Sequence, residues 1–360
     1  MSRTKEDPAA IRPAILAVDG GNSKADALLL DRSGTLLGAA RQVAPSSVGG
    51  VNGSVDALRH VIGAAARNAG FDPAARPIAD VGVYCLAGAD VPFDERRIDL
   101  ALTERGWTGR NIVRNDTYAV LRAGTERGWG VGMVCGAGMN CLGIGPTGRH
   151  VRFASLGPLS GDIAAGGEWV GLAAIGAAMR ARDGRGPRTQ LERAVPQYFG
   201  LARPETVARA IHGEALDEAR LVELPPIVFE VARTGDAVAR GILDRLADEV
   251  VAMVTATIRR LHVSRDEVDV VLGGGIFLAE DRPFLARVED GIRTVAPRAN
   301  TVRLRLPPVV GAALIGLDEI GAAGRAAERL RESVSHASIV RRSGRSDRRS
   351  ARASSSSAGA

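Results

Sequence analysis

Apolar residues in this chain follow two rhythms, and the change from one to the other marks out its elements. Residues 14–30, AILAVDGGNSKADALLL, form two apolar runs joined by the polar turn DGGNSK, the pattern of a β-hairpin. A third short run, Leu36 to Ala40, follows the turn DRSG. Residues 54–69 switch to helical spacing, with Val55, Leu58, Val61, Ile62 and Ala65 on one face. VGVYCLAG at 81–88 predicts a buried strand, 94–105 an amphipathic helix, NIVRND at 111–116 a strand end, and TYAVLRAG the opening of another helix.

At 130–153 the opening pattern returns. GVGMVCGAGMNCLGIGPTGRHVRF again reads strand, glycine turn with a polar residue, strand, polar turn, strand. An element order that recurs after roughly 115 residues indicates two similarly built lobes rather than a short-period solenoid. The remainder is expected to be helical from 166 to about 262. One more strand then follows at 269–276, with Asp269 at its start, and an Ala-rich terminal helix over 308–333.

Composition adds limits to this picture. A chain of 360 residues exceeds one ordinary domain, so two domains sharing a cleft are expected. No long uninterrupted apolar stretch appears, and the start, MSRTKEDPAAIRP, lacks the apolar core of a secretory signal; a cytoplasmic protein is expected. Cys85, Cys135 and Cys141 lie in apolar runs without CxxC spacing, which predicts reduced, buried thiols. The net charge of +6 resides in the tail, since residues 341–360 hold six arginines and one aspartate, leaving the body near 6 − 5 = +1. No specific nucleic-acid partner and no membrane partner are therefore expected. The leader 1–13 and the Arg/Ser-rich segment 335–360 are expected to be disordered.

Five places could carry chemistry. At 19–24, Gly20 and Gly21 permit backbone N–H groups to face one concavity suited to phosphate, with Asn22, Ser23 and Lys24 beside them, although a plain hairpin turn has the same composition. The second glycine turn, Gly136, Ala137 and Gly138, could clasp the same polyphosphate from the other lobe. Asp116 stands at a strand-to-helix junction, where it either caps the helix or takes a proton from an attacking hydroxyl. Asp162, ahead of a helix beginning near Glu168, suits a cap or a ligand. Gly273, Gly274 and Gly275 allow either close approach of a nucleotide or a tight turn.

Taken in order, DGGNSK at 19–24, ND at 115–116, CGAGMNC at 135–141, GD at 161–162 and VLGGG at 271–275 give a string that resembles the N-acetylglucosamine kinases and BadF/BadG/BcrA/BcrD-type ATPases, within the actin/hexokinase/Hsp70 superfamily. The resemblance spans most of residues 14–318. It implies an α/β, two-lobed actin-like ATPase (ribonuclease H-like) fold with a central mixed sheet in each lobe, an N-terminal lobe over 14–118 and a C-terminal lobe over 119–318. It also implies ATP-dependent phosphorylation of a small sugar, an amino sugar such as N-acetylglucosamine or glucosamine, with ATP and Mg²⁺. Asp116 then matches the catalytic base and Asp19 the residue that holds Mg²⁺ through water. The two glycine turns and Gly273 to Gly275 match the nucleotide loops, and Asn115, Asp116, Gly157, Asp162 and Ser47 fall on the substrate side.

Departures from the family pattern lie at Ala137 and Met139, in place of hydroxyl residues of the second loop, and at Leu156-Gly157, where a tryptophan is expected ahead of the glycine. The sugar-contacting asparagine has no counterpart in APSSVGG at 44–50, where Ser46 and Ser47 stand nearby. Two other readings follow from the same residues: a catalytically weak sugar sensor, given Ala137 and Met139, and an activator-type ATPase that needs cysteines for an iron–sulfur cluster. A homodimer is compatible with all three.

Overall fold

The alternating apolar strands fold as the spacing predicts, each sheet buried on both faces where helices cover it. The computed structural model describes residues 12–21, 24–43, 50–335 and 337–340. The expected leader up to Ile11, Asn22, Ser23, Ser47 and the tail from Arg341 lie outside them. The chain divides into two compact units, one of residues 1–123 and 306–360, the other of Gly124–Arg305.

The first unit is built on strands β1 (Ile15–Gly20), β2 (Lys24–Leu30), β3 (Leu36–Val43), β4 (Ala79–Leu86) and β5 (Thr108–Arg114). They lie in the order β3-β2-β1-β4-β5. β1, β2 and β3 run antiparallel in sequence, while β4 and β5 are parallel to β1. Helices α1 (Gly50–Asn68) and α2 (Pro92–Arg105) cover one face. The predicted stripe of α1 is what it buries, with Val55, Leu58, Val61, Ile62 and Ala65 packed among Leu16, Val18 and Leu29. α2 stops at Gly106, whose left-handed φ of 61° lets its N–H reach the carbonyls of Leu102 and Thr103. The other face receives α3 (Asp116–Gly124) and α10 (Pro308–Glu319) on Ile15, Ala17, Val83 and Cys85.

The second unit repeats this plan. Its strands β6 (Gly130–Cys135), β7 (Met139–Ile144), β8 (His150–Arg152), β9 (Asp269–Gly273) and β10 (Asn300–Arg303) lie in the order β10-β9-β6-β7-β8. Read from β8, that order and the strand directions match the first sheet strand for strand. Between β8 and β9 come α4 (Gly166–Asp183), α5 (Leu191–Tyr198), α6 (Pro204–His212), α7 (Pro225–Arg233) and α8 (Ala237–Leu261), with α9 (Arg282–Val295) between β9 and β10.

Several expectations need correction. The lobe boundaries at 119 and 318 move to 123/124 and 305/306, because α3 and α10 both pack on the first sheet. The single helix over 308–333 is two, α10 and α11 (Arg325–Ser333), since Gly321 and Gly324 take φ of 66° and 81°. The strand expected over 269–276 ends at Gly273, where Gly274 turns the chain with φ 103°. β10 carries no apolar run and gave no signal, because its residues are partly or fully exposed. Within the segment assigned to a disordered tail, residues 337–340 are helical and Ile339 is wholly buried among Leu330 and Val334.

Glycine at 311 sets how closely α10 meets α3: a Cβ there would lie 1.8 Å from the Ala119 carbonyl oxygen. Gly311→Ala is expected to lower stability by about 1–3 kcal/mol through forced separation of the two helices. Gly241→Ala in α8, where a Cβ meets nothing within 4 Å, is expected to raise it by about 0.5–1 kcal/mol. Urea unfolding of both variants against the parent checks the pair.

Candidate active site

The described candidates of the first unit lie at the carboxyl ends of its parallel strands β1 and β5, the edge where open α/β sheets bind ligands. β1 ends in Asp19 and Gly20, and the hairpin to Lys24 is closed by the Gly21 N–H donating to the Lys24 carbonyl at 2.9 Å. That amide is therefore committed within the turn. The Gly20 carbonyl accepts from the Ala87 N–H at 2.8 Å, tying the turn to the end of β4.

Asp116 is the first residue of α3 and remains partly open to solvent. The capping duty weighed for it falls on its neighbour. Asn115, fully buried, accepts at Oδ1 from the Thr117 N–H at 3.1 Å and from the Thr117 hydroxyl at 2.6 Å. Its Nδ2 donates to Asp90 Oδ1 at 3.0 Å and to the Ala87 carbonyl at 3.4 Å. Asn115 thus spends its amide on the protein rather than facing a substrate. With the cap supplied by Asn115, the Asp116 carboxylate is left for chemistry. Burial pushes the Asp116 carboxyl up to about 6, against the pull of the Asp116 and Thr117 backbone N–H groups.

Asp19 is more strongly perturbed. It is 7% exposed, and its carboxyl is pushed up to about 8 by desolvation first, then by the charges of Asp116 and Asp26, with Lys24 and Arg41 opposing. The strand register explains those neighbours. Arg41 pairs with Asp26, Asp26 with Asp19, Asp19 with Cys85 and Cys85 with Arg114, a single row across all five strands. Residues opposite one another in a sheet share a face, and this row lies on the face that carries α3 and α10. Asp26 is fully buried and held by Arg41 through two 2.6 Å bonds, Nε to Oδ1 and Nη2 to Oδ2. The Cys85 thiol, between Asp19 and Arg114 in the row, is pushed well above its ordinary value by burial.

Asp26, Arg41, Asp90 and Arg114 were not singled out from the sequence. The signal available for Asp26 was its place inside the apolar strand KADALLL, where a carboxylate must have a partner. Asp90 lies in a loop and its role depends on a contact 25 residues away, which no local pattern carries.

In the second unit the loop Gly136 to Gly138 joins β6 to β7 and is closed by the Gly136 N–H donating to the Gly138 carbonyl at 2.9 Å. A Cβ at Gly136 or Gly138 would meet nothing within 4 Å, so the loop is open on that side. Its carbonyls face α4: those of Gly136 and Ala137 accept from the N–H groups of Gly167 and Glu168 at 2.8 and 2.9 Å. Gly166, with φ 77°, fits only as glycine, because a Cβ there would lie 2.5 Å from the Gly138 carbonyl oxygen. The Met139 side chain is buried in the core beside Val131 and Met133. Of the two departures in this loop, Met139 is thus a core residue, which leaves Ala137 as the other.

Gly273 ends β9 opposite Val134 of β6, and Gly274 runs against the neighbouring Cys135 backbone, where a Cβ would meet the carbonyl oxygen at 2.2 Å. The second glycine turn and the Gly273 to Gly275 loop are thereby brought side by side. Asp162 does not cap α4, which starts at Gly166 on the loop carbonyls. It lies instead in a tight turn, with Ser160 Oγ 2.5 Å from its Oδ2 and its N–H donating to the Gly157 carbonyl at 3.1 Å. Ahead of that turn Ser155 holds a strained φ of 49°, and its buried hydroxyl has no partner.

The residues present fit Mg²⁺. Two neighbouring carboxylates at Asp19 and Asp116, one of them buried, call for a hard cation, and magnesium usually takes one or two carboxylates with water and phosphate oxygens. Among the described residues no cluster of three or more His, Cys, Asp or Glu stands ready as an all-protein cage. The three cysteines are free and buried; the thiols of Cys135 and Cys141 are pushed up to about 12, which leaves no ready thiolates for an iron–sulfur cluster.

Two units with the same five-stranded order, one bearing paired carboxylates and the other paired glycine loops, define an actin-like ATPase of the sugar-kinase type. The chain belongs to the BadF/BadG/BcrA/BcrD ATPase family, whose model matches residues 16–316. It is 26% identical over 322 residues to an N-acetyl-D-glucosamine kinase of Dictyostelium discoideum, covering 84% of this chain and 97% of that one. An N-acetylmuramic acid/N-acetylglucosamine kinase of Clostridium acetobutylicum is 28% identical over 209 residues, 58% of this chain and 68% of its own. A crystal structure from Chromobacterium violaceum, named provisionally as an N-acetylglucosamine kinase, superimposes with a TM-score of 0.65 at 25% identity, covering 85% of this chain and 99% of that chain. Among the described residues no helix is long and apolar enough to cross a membrane.

The state of Asp19 makes a stability prediction. A carboxyl raised from 3.8 to about 8 on folding keeps its proton in the folded protein while the unfolded chain loses it near pH 4. Its stability contribution is then full below pH 4 and is lost as pH rises through about 8. In metal-free buffer at pH 8, Asp19→Asn is expected to be more stable than the parent by about 1–3 kcal/mol, a gain that shrinks toward pH 4. Thermal unfolding across that pH range measures it.

Proposed function

We propose that the protein transfers the γ-phosphoryl group of ATP to a hydroxyl of an amino sugar of the N-acetylglucosamine type, in the cytoplasm where ATP is made. The observation that carries this reading is Asp116: a carboxylate at the start of α3, just past the carboxyl end of the edge strand β5, with the helix cap supplied by Asn115 and its carboxyl pushed up to about 6. The names of the relatives support the substrate class.

In this reading Asp116 accepts the proton of the attacking sugar hydroxyl while the new O–P bond forms and the bond between the γ-phosphorus and the β-bridging oxygen breaks, releasing ADP. Asp90 and Asn115 fix the start of α3 and so the direction of that carboxylate. The Lys24 ammonium supplies positive charge beside the first turn. Gly136 and Gly138 offer an open loop to phosphate oxygens, and Gly274 and Gly275 let the nucleoside approach the backbone. Asp19 would hold Mg²⁺ through its water, and the ion would neutralise charge on the phosphates. Gly157, Asp162 and Ser47 remain proposed sugar contacts; Ser155, two residues ahead of Gly157 and with an orphaned buried hydroxyl, is proposed with them.

ADP release measured across N-acetylglucosamine, glucosamine, N-acetylmannosamine, N-acetylmuramic acid, glucose and no sugar tests the proposal. Stimulation by an amino sugar is expected, and a flat response with ATP demonstrably bound would favour the sensor reading. Asp116→Asn is expected to lower kcat about 10²–10⁴-fold while ATP binding persists; a folded, fully active variant would overturn the assignment. Because the base works only when ionised, kcat/KM is expected to fall as pH drops through about 6.

A further inference from the structure

The charged row across the first sheet is balanced on one side only. At the β3 edge, Arg41 is locked to Asp26 through two bonds. At the β5 edge, Arg114 is exposed, and among the described residues no carboxylate pairs with it. Its side chain is nevertheless fixed: Nη1 donates to the Val113 carbonyl at 2.9 Å, and the guanidinium lies over the Tyr118 ring, 5.8 Å from the centroid. Arg114, Asp116 and Asp19 all act electrostatically on the Cys85 thiol, so this fixed cation belongs to the same strand ends as the two carboxylates.

We propose that Arg114 is an anion subsite for the acceptor, and that the sugar this enzyme prefers carries a carboxylate substituent. The inference rests on the kinase reading. Position favours the acceptor over the γ-phosphoryl group. The first glycine turn lies between β1 and β2, whereas Arg114 stands on β5, two strand spacings or roughly 10 Å from β1 on the opposite side. It precedes Asp116 by two residues, and Asp116 is the group that meets the acceptor hydroxyl. A planar guanidinium held on an aromatic ring, with N–H groups still free, suits bidentate capture of a carboxylate. Tyr118, one helical turn beyond Arg114 and next to the base, keeps that plane in place.

The test compares N-acetylmuramic acid, which bears a carboxylate, with the neutral N-acetylglucosamine. The parent enzyme is expected to favour the acidic sugar in kcat/KM. Arg114→Gln is expected to reduce the acidic-to-neutral ratio on the order of tenfold or more, chiefly through KM for the acidic sugar, and Arg114→Lys to recover part of it. An unchanged ratio overturns the proposal, including the case where KM for ATP rises equally with both sugars because the arginine serves the γ-phosphate. Calorimetric titration of each sugar without nucleotide provides a second readout. Binding of the acidic sugar that Arg114→Gln weakens, with no turnover of either sugar, would sink the kinase reading and leave the subsite standing. Acidic-sugar binding equal in parent and variant, or absent in both, would overturn the subsite. Urea unfolding confirms that the variants, altered at an exposed side chain, are folded.

Discussion

The first unit is organised around an unfavourable contact: two carboxylates, Asp19 and Asp116, placed within Coulombic reach of each other in a site largely stripped of water. Like charges in such surroundings resist joint ionisation, which is why burial and Asp116 together drive Asp19 up to about 8. The fold tolerates this because cations are built in close by. Arg41 neutralises Asp26 and also lowers Asp19, and Lys24 adds its charge from the hairpin. Even so, balance is left incomplete, and an incomplete balance is what a divalent cation can complete.

Reaching that arrangement demands tight control of the backbone. Asn115 takes the helix cap next to Asp116, and Asp90 and the Ala87 carbonyl hold its other end. The same logic of close approach governs the second unit. Gly166 and Gly274 accept conformations in which a side chain would strike the loop at Cys135 to Gly138. Those two glycines therefore set how closely the loop from Cys135 to Gly138 meets its neighbours.

Much of this was legible in the sequence, for a physical reason. Strands buried in the sheets give apolar runs, so nine of the ten strands announce themselves, and the restart at Gly130 foretells the matching strand orders. Asp19, Asp116 and the three glycine loops were visible because they interrupt those runs. What stayed hidden depends on register or on long-range contacts. Nothing local tells that Arg41, Asp26, Asp19, Cys85 and Arg114 stand in one line, since that requires the pairing of all five strands. β10 was missed because its exposed sequence has no period to read. The return of α10 to the first unit was missed because a buried helix is equally apolar wherever it packs.

The two copies of the fold also show how one plan carries two chemistries. In the first sheet the positions at the strand ends are Asp26, Asp19 and Cys85. The matching positions of the second sheet are Asn140, Val134 and Gly273, joined by the same pairings. Charge has been removed from the second row, and glycine takes the place of the Cys85 thiol. A row of carboxylates repels phosphate oxygens unless a cation intervenes, which in the proposed reaction suits it to the metal and to proton transfer. A neutral row ending in glycine brings bare backbone to a ligand without repulsion, which suits the nucleoside and its phosphates. Both lobes keep the strand order because it places three parallel strand ends together, and under the proposed function substitution at those few ends would separate proton transfer from nucleotide binding.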